Sequence, residues 1–436
     1  MIIKDNQKVC VIGIWHLGSV YSVCLAELGY VVNGVDTNPG RVDNLNKGIP
    51  PIFEPELEDF LKKNIEAGRL KYTSDIHDAV KDCKYVLITF DTPVDENDDV
   101  DLSPIFTTCR ELAGCLENGV IIIVSSQVPV GTCNELKNLI QKRNPSLKFG
   151  IACNPENLRL GQAINYFKNQ DRIVIGADDD VTLASVEKLL SVIRSPILRM
   201  NLRTAEMTKH ALNAYLAATI SFGNEIANLC DEVGADAIRI VEALRSDARL
   251  SPRLPLLPGL AFGGGTLARD LKILKRLGEN TGTEMSIINS VLRVNQRQNG
   301  LVLRKLRKIF GSVDKLNIAI LGLAYKSGTS TLRRSPALEI IKDLVSNGAV
   351  VKAYDPKVTF EEVNPYDEFE FVSDPYITAS EADALVIATD WPEFKDLDFA
   401  LLHSVMKSPV IIDAKNMLDR EKLLEKGFTY SGVGRG

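Results

Sequence analysis

Lys209 and Asn213 stand one helical turn apart in TAEMTKHALNAYLAATISFGNEIANLCDEVG, so a cation and an amide leave one face of a helix together. Alone, such a pair is ordinary for a helix face turned to water. It gains meaning because an α/β unit precedes the helix and another follows it. Near the N-terminus, Gly13-Ile14-Trp15-His16-Leu17-Gly18 joins an apolar run to a helical stretch, and Asp36 ends the next apolar run. Such a turn aims a helix N-terminus at a pyrophosphate, and an acid so placed bonds a ribose 2′-hydroxyl, which favours NAD over NADP. Trp15 occupies the position of the fingerprint glycine that lets the backbone approach the phosphates. Three further polar loops follow apolar runs: Asp91-Thr92-Pro93, Gln127 to Thr132, and Asn154-Pro155-Glu156. In a parallel sheet, loops at strand C-termini are where ligands bind.

The elements that must position these residues can be read from the pattern. Strands are expected over Val9–Ile12, Tyr30–Val35, Tyr85–Phe90, Gly119–Ser125 and Phe149–Ala152. The segment Arg203 to Gly234 lacks proline and repeats apolar residues at three-to-four spacing, which predicts one long helix, with Thr204 as N-cap and Glu206 in the first turn facing the helix dipole. A second βαβ unit is expected from Leu316–Leu321, the turn at Gly322, a helix opening at Ser335-Pro336, and Val350–Tyr354 ending at Asp355. Ala384–Ala388 and Val410–Ile412 read as further strands.

The 436 residues suffice for two or three domains. A net charge of −6 and the absence of a basic arm argue against binding to nucleic acid or anionic membrane. No apolar run is long enough to span a bilayer, and no signal peptide is expected. Eight cysteines without CxxC spacing and four histidines without HExxH argue against zinc or a disulfide framework, and fit reduced thiols in the cytoplasm.

The chain resembles the UDP-glucose/GDP-mannose 6-dehydrogenases through GVDTNPGRVDNLNKGIPPIFEPEL, NPENLRLGQAI, the long-helix segment, PGLAFGGGTLARDL, LGLAYKSGTSTLRRSPALEII and YSGVGR. These segments fall in the family's order from about Lys8 to Arg435. The resemblance implies two Rossmann-like, doubly wound parallel-sheet α/β domains joined by a helical middle domain with one long central helix. The boundaries expected are 1–200 for NAD binding, 201–298 for a dimerising helical part, and 299–436 for the nucleotide half of the substrate. It implies an NAD cofactor, a UDP- or GDP-hexose held between the domains, a homodimer, and a place in polysaccharide precursor synthesis. Cofactor contacts are expected from Gly13, Trp15, His16, Leu17, Gly18, Asp36, Thr92 and Gln127. Substrate contacts are expected from Lys209, Asn213, Phe262, Gly263, Gly264, Lys326 and Arg333.

In that family the 6-hydroxyl is oxidised twice, through a cysteine thiohemiacetal and thioester. Here the loop reads Phe262-Gly263-Gly264-Gly265-Thr266-Leu267-Ala268-Arg269-Asp270, with Thr266 at the cysteine's place. A threonine hydroxyl is a far weaker nucleophile unless a base activates it. Gln127, Leu160 and Arg269 replace a threonine, a glutamate and a lysine of the family, Asp91 replaces a glycine, and Ser330 and Thr331 stand at usually acidic positions. Glu156, Lys209, Asn213 and Asp270 are kept. With Thr266 they make up the expected catalytic set, in which Lys209 and Asp270 hold a proton-accepting water and Asn213 fixes it. The kept residues suit a first hydride transfer and the lost ones belong mostly to the second. The leading expectation is an oxidoreductase that stops after one hydride. The alternatives are full oxidation through a hydrated aldehyde and a silent NAD- or nucleotide-sugar-binding or regulatory homologue; a plain hydroxyacid dehydrogenase is disfavoured by the second βαβ unit. Cys153 is read as a core residue and not a substitute nucleophile.

Overall fold

A computed structural model describes residues 7–92, 100–156, 158–263 and 265–435. The chain divides into two compact units, Met1–Ala211 and Leu212–Gly436.

The first unit is built on strands β1 (Lys8–Ile12), β2 (Val31–Val35), β3 (Leu70–Thr73), β4 (Cys83–Ile88), β5 (Ile121–Val124), β6 (Gly150–Cys153), β7 (Ile173–Ala177) and β8 (Ile197–Met200). Their order is β3-β2-β1-β4-β5-β6-β7-β8. Neighbours run parallel except at β6 and β7, so the last two strands are reversed, a departure from the wholly parallel sheet expected. Valine- and isoleucine-rich strands such as Ile121-Ile122-Ile123-Val124 are buried throughout, because helices cover both faces. The order reverses between β1 and β4, which opens a crevice beyond Ile12 and Ile88.

The second unit carries an all-parallel sheet of β9 (Asn317–Leu321), β10 (Val350–Tyr354), β11 (Glu370–Phe371), β12 (Ala384–Ile387), β13 (Val410–Asp413) and β14 (Thr429–Gly432), in the order β11-β10-β9-β12-β13-β14. Its reversal lies between β9 and β12. The helix Pro336–Ser346 opens as its sequence predicts, with the Ser335 side chain accepting from Ala337 N and proline at the first position. Strands β3, β7, β8, β11 and β14 were not foreseen. Four of them, β3, β8, β11 and β14, are short and stand at sheet edges where exposed residues dilute the apolar pattern, whereas β7 is buried throughout.

The long helix runs Leu202–Val233, and the division between the units falls within it. Its N-cap is Asn201, not Thr204: the Asn201 side-chain oxygen accepts from Thr204 N at 2.8 Å. The inward face uses small residues, with Ala205, Ala214, Ala217, Ala227 and Cys230 buried, whereas Tyr215, Phe222, Leu229 and Val233 are exposed. The apolar periodicity therefore located the helix but not its buried side, since Tyr215 and Leu229 point to solvent. Small residues face inward because neighbouring backbone comes close: a Cβ at Gly223 would lie 2.5 Å from the Leu256 carbonyl oxygen.

Candidate functional site

Beyond β1 the chain turns at Gly13, whose φ of +94° is the left-handed region, and a Cβ there would meet Phe90 N at 2.9 Å. Gly18 has no room for a side chain either, because a Cβ would sit 2.2 Å from the Gly13 carbonyl oxygen. The helix His16–Glu27 therefore starts directly above the strand end, and no side chain caps its first amides. Trp15 occupies its N-cap position with the indole 41% exposed, so the ring lies outward and not in the packed core. The Arg41 guanidinium lies over that ring, 4.9 Å from its centroid. Asp36 ends β2 and is buried; its carboxylate accepts from Ile14 N at 3.0 Å, Asn38 N at 2.9 Å and Arg41 Nη1 at 2.8 Å. A glycine turn without Cβ space, an uncapped helix start and an acid at the second strand's end fit a dinucleotide.

His16 and Leu17 part company here. Leu17 is buried in the core, whereas His16 Nε2 lies 2.9 Å from Glu54 Oε2. Glu54, with no exposed side-chain surface, also accepts from Gly161 N at 2.9 Å and Ala163 N at 2.7 Å. It ties the helix start to the segment after Glu156. Thr92 and Gln127 meet at the ends of β4 and β5, where Thr92 Oγ1 donates to the Gln127 carbonyl at 3.1 Å. Asn154 is fixed by Tyr21 OH at 3.3 Å and donates to Val174 O at 2.8 Å. Burial, and next the Glu156 carboxylate, push the Tyr21 phenol up from its ordinary value. Glu156 Oε2 accepts from Leu158 N, and its other oxygen lies 3.6 Å from Lys209 Nζ. The Lys209 side chain is only 11% exposed, so it is not part of a solvated stripe. Glu206, expected to serve the helix dipole, is instead buried, and accepts from Gly131 N at 2.6 Å and Cys133 N at 2.8 Å. Cys153 is buried in the core, as read.

In the second unit the Asn213 side-chain amide donates to the buried Asp270 carboxylate. Asp270 sits in the first turn of the helix Leu267–Thr281. Thr266 precedes that helix, is exposed, and makes no side-chain cap hydrogen bond. The loop before it is held by amides. Asn295 accepts from Phe262 N at 2.8 Å and donates to Phe262 O at 3.2 Å. Asn224 accepts from Gly259 N at 2.8 Å, and Gln298 donates to Gly259 O at 2.7 Å. A Cβ on Gly263 would lie 2.7 Å from the Arg334 carbonyl oxygen, so this loop touches the one carrying Arg333. Gly264 lies outside the described residues. Arg333 is exposed, and Lys326 is half-buried beside the Tyr325 ring.

Glu54, Arg41, Asn224, Asn295 and Gln298 were not picked out in advance. Apart from Arg41, which bonds the nearby Asp36, their partners are far away in sequence, so no local spacing announces them. Only the segment IFEPEL carried a hint, an acid between aromatic and proline.

These features define an α/β dehydrogenase with a nicotinamide-dinucleotide unit and a second, nucleotide-binding-type sheet. Three family models match in succession: the UDP-glucose/GDP-mannose dehydrogenase family NAD binding domain over residues 7–194, its central domain over 203–297, and its UDP binding domain over 319–420. The chain is 35% identical over 432 residues to the UDP-glucose 6-dehydrogenase TuaD of Bacillus subtilis, covering 98% of this chain and 93% of that one. It is 36% identical over 436 residues to the UDP-glucose 6-dehydrogenase of Rhizobium meliloti, covering 98% and 100%. The structure of a UDP-glucose dehydrogenase from Pyrobaculum islandicum superposes with a TM-score of 0.89 at 31% identity, covering 100% of both chains. The chain belongs to the UDP-glucose/GDP-mannose dehydrogenase family, and is an NAD-dependent nucleotide-sugar dehydrogenase.

Proposed function

We propose that this enzyme oxidises the 6-hydroxyl of a UDP-hexose once and releases a carbonyl product. The observation that carries the reading is the contrast on either side of Leu267: Asp270 is buried and oriented by Asn213, whereas Thr266 is an exposed hydroxyl at the cysteine's position. NAD, when bound, accepts the hydride. Gly13, Trp15, His16 and Gly18 would receive its phosphates at the helix start, with Asp36 at the ribose and Thr92 and Gln127 at the ends of β4 and β5. Asp270 takes the hydroxyl proton through a water, and Asn213 holds its carboxylate in place. Lys209, steadied by Glu156, offers its ammonium to the developing alkoxide. Phe262, Gly263, Gly264, Lys326 and Arg333 bind the nucleotide sugar. A covalent acyl stage lacks a nucleophile, because no base among the described residues is hydrogen-bonded to the Thr266 hydroxyl.

Uridine as the base is supported by the matching UDP binding domain and by the relatives' names. A division near residues 200 and 298 is supported by the spans of the three family models. A homodimer is supported by the exposed row Tyr215, Phe222, Leu229 and Val233 along one side of the long helix. A cytoplasmic location is supported by eight free cysteines. No described helix is long and apolar enough to cross a membrane.

The test is NADH formed per sugar nucleotide consumed, across UDP- and GDP-hexoses, for the wild type and Thr266→Cys. One NADH in the wild type, rising to two in the cysteine variant, is expected. Two in the wild type would overturn the arrest and favour oxidation of a hydrated aldehyde.

A further inference from the structure

The second unit contains a cavity of about 460 Å³, lined by the end of the long helix, the helices Ser286–Asn299 and Leu301–Phe310, and strand β14. Its size is that of a small-molecule site. Four cations border it, and two are already matched. Lys305 donates to Asp231 at 2.6 Å with both side chains nearly buried, and Lys308 lies 3.6 Å from Glu232. Arg297 and Arg304 have no carboxylate partner among the described residues. Arg304 Nη1 donates instead to the main-chain oxygen of Arg297 at 2.8 Å, which brings the Arg304 guanidinium to the end of the helix that carries Arg297. Burial, and next the charge of Arg297, lower the Arg304 pKa from its ordinary value. Two guanidiniums lining one cavity are stabilised by a shared anion, and their planar forks suit phosphate oxygens. The Ser431 hydroxyl, 3.4 Å from Lys305 Nζ, adds a neutral donor on the same wall.

Two facts separate this cavity from surfaces with other uses. At 1.5 Å per residue, Asp231 lies roughly 27 Å along the helix from Asn213. At 100° per residue, Asn228, Asp231 and Glu232 occupy a face centred roughly 130° around the helix from the exposed row of Tyr215, Phe222, Leu229 and Val233. A second copy seated on that row leaves this face open.

We propose that the cavity binds a phosphorylated small molecule, with phosphate oxygens held between Arg297 and Arg304, at a site separate from both cofactor and substrate. The probes are inorganic phosphate and pyrophosphate, titrated calorimetrically into the full chain saturated with NAD and with UDP, so that the sites for those groups are filled. Binding of either probe that weakens at least roughly ten-fold in an Arg297→Gln/Arg304→Gln variant supports the proposal. Arg304→Lys, which keeps the charge and loses the fork, should retain part of the affinity. The variant's turnover and NAD affinity should stay unchanged, which shows that it is folded. Equal binding by wild type and variant, or no binding of either probe, overturns it. So does a loss of dimer in the variant, since the arginines would then be serving a partner chain.

Discussion

Gly13 and Gly322 hold the same place in two sheets, and what surrounds them differs. Both follow the first strand of a βαβ unit with φ of +94° and +96°, and both press against the strand across the crevice, where a Cβ would meet Phe90 N at 2.9 Å or Thr389 N at 2.7 Å. Each unit then brings an acid from the end of its second strand back to the turn. Asp36 takes two main-chain amides and the Arg41 side chain, which is 29% exposed and can exchange. Asp355 takes Leu323 N, Ala324 N, Lys357 N, Val358 N and the Trp391 indole N–H, all fixed. In the first unit the helix begins at His16, over the turn. In the second it waits until Pro336, and the intervening loop carries Lys326 and Arg333. One sheet geometry thus carries two arrangements: helix start and acid over the turn in one, an inserted loop with cations in the other.

The comparison breaks most visibly at the acids. Asp355→Ala strands several buried donors, and we expect a loss of about 4 kcal/mol of stability by denaturant unfolding. Asp36→Ala should cost about half that in stability, yet raise the KM for NAD roughly ten-fold, since one charged hydrogen bond is worth about 1.5–3 kcal/mol. Equal stability losses at the two positions would show that Asp36 is structural too. Gly13→Ala and Gly322→Ala should each lose about 3 kcal/mol, through left-handed strain and contact with a neighbouring strand. Arg41→Ala should leave stability within about 0.5 kcal/mol and raise the KM for NAD only a few-fold, being a partly exposed pair. A smaller effect marks the second sheet as one whose acids serve packing. Burial holds the Asp413 carboxyl above its ordinary value, against hydrogen bonds from Leu418 N and Tyr430 OH. The folded form then binds the proton more tightly than the unfolded chain. The cost of ionisation is full at neutral pH and is relieved as pH falls through the folded value toward the ordinary one. Asp413→Asn should flatten that part of the pH profile of the unfolding midpoint.

Much of this was legible in the sequence because it is local. The glycine turns, Asp36, Asp355 and the proline-led helix depend on neighbours a few residues away, and the strands β1, β4, β5, β9 and β10 were found to within a residue or two. Lys209 and Asn213 were singled out by helical spacing, and both prove largely buried. What escaped is held over distance. Glu206 reads as a dipole partner until β5 and its following loop bring Gly131 and Cys133 to it. The long helix shows its apolar period plainly, yet the side it buries is the alanine side, which periodicity weights least.

The loop before Thr266 is held by Asn224, Asn295 and Gln298, three amides and no ion pair among the described contacts. Neutral hydrogen bonds of this kind are not screened by dissolved salt, whereas attraction of a diphosphate to exposed cations such as Arg333 is. Turnover followed across ionic strength therefore reads out capture of the charged substrate, with the loop's placement a constant in the experiment.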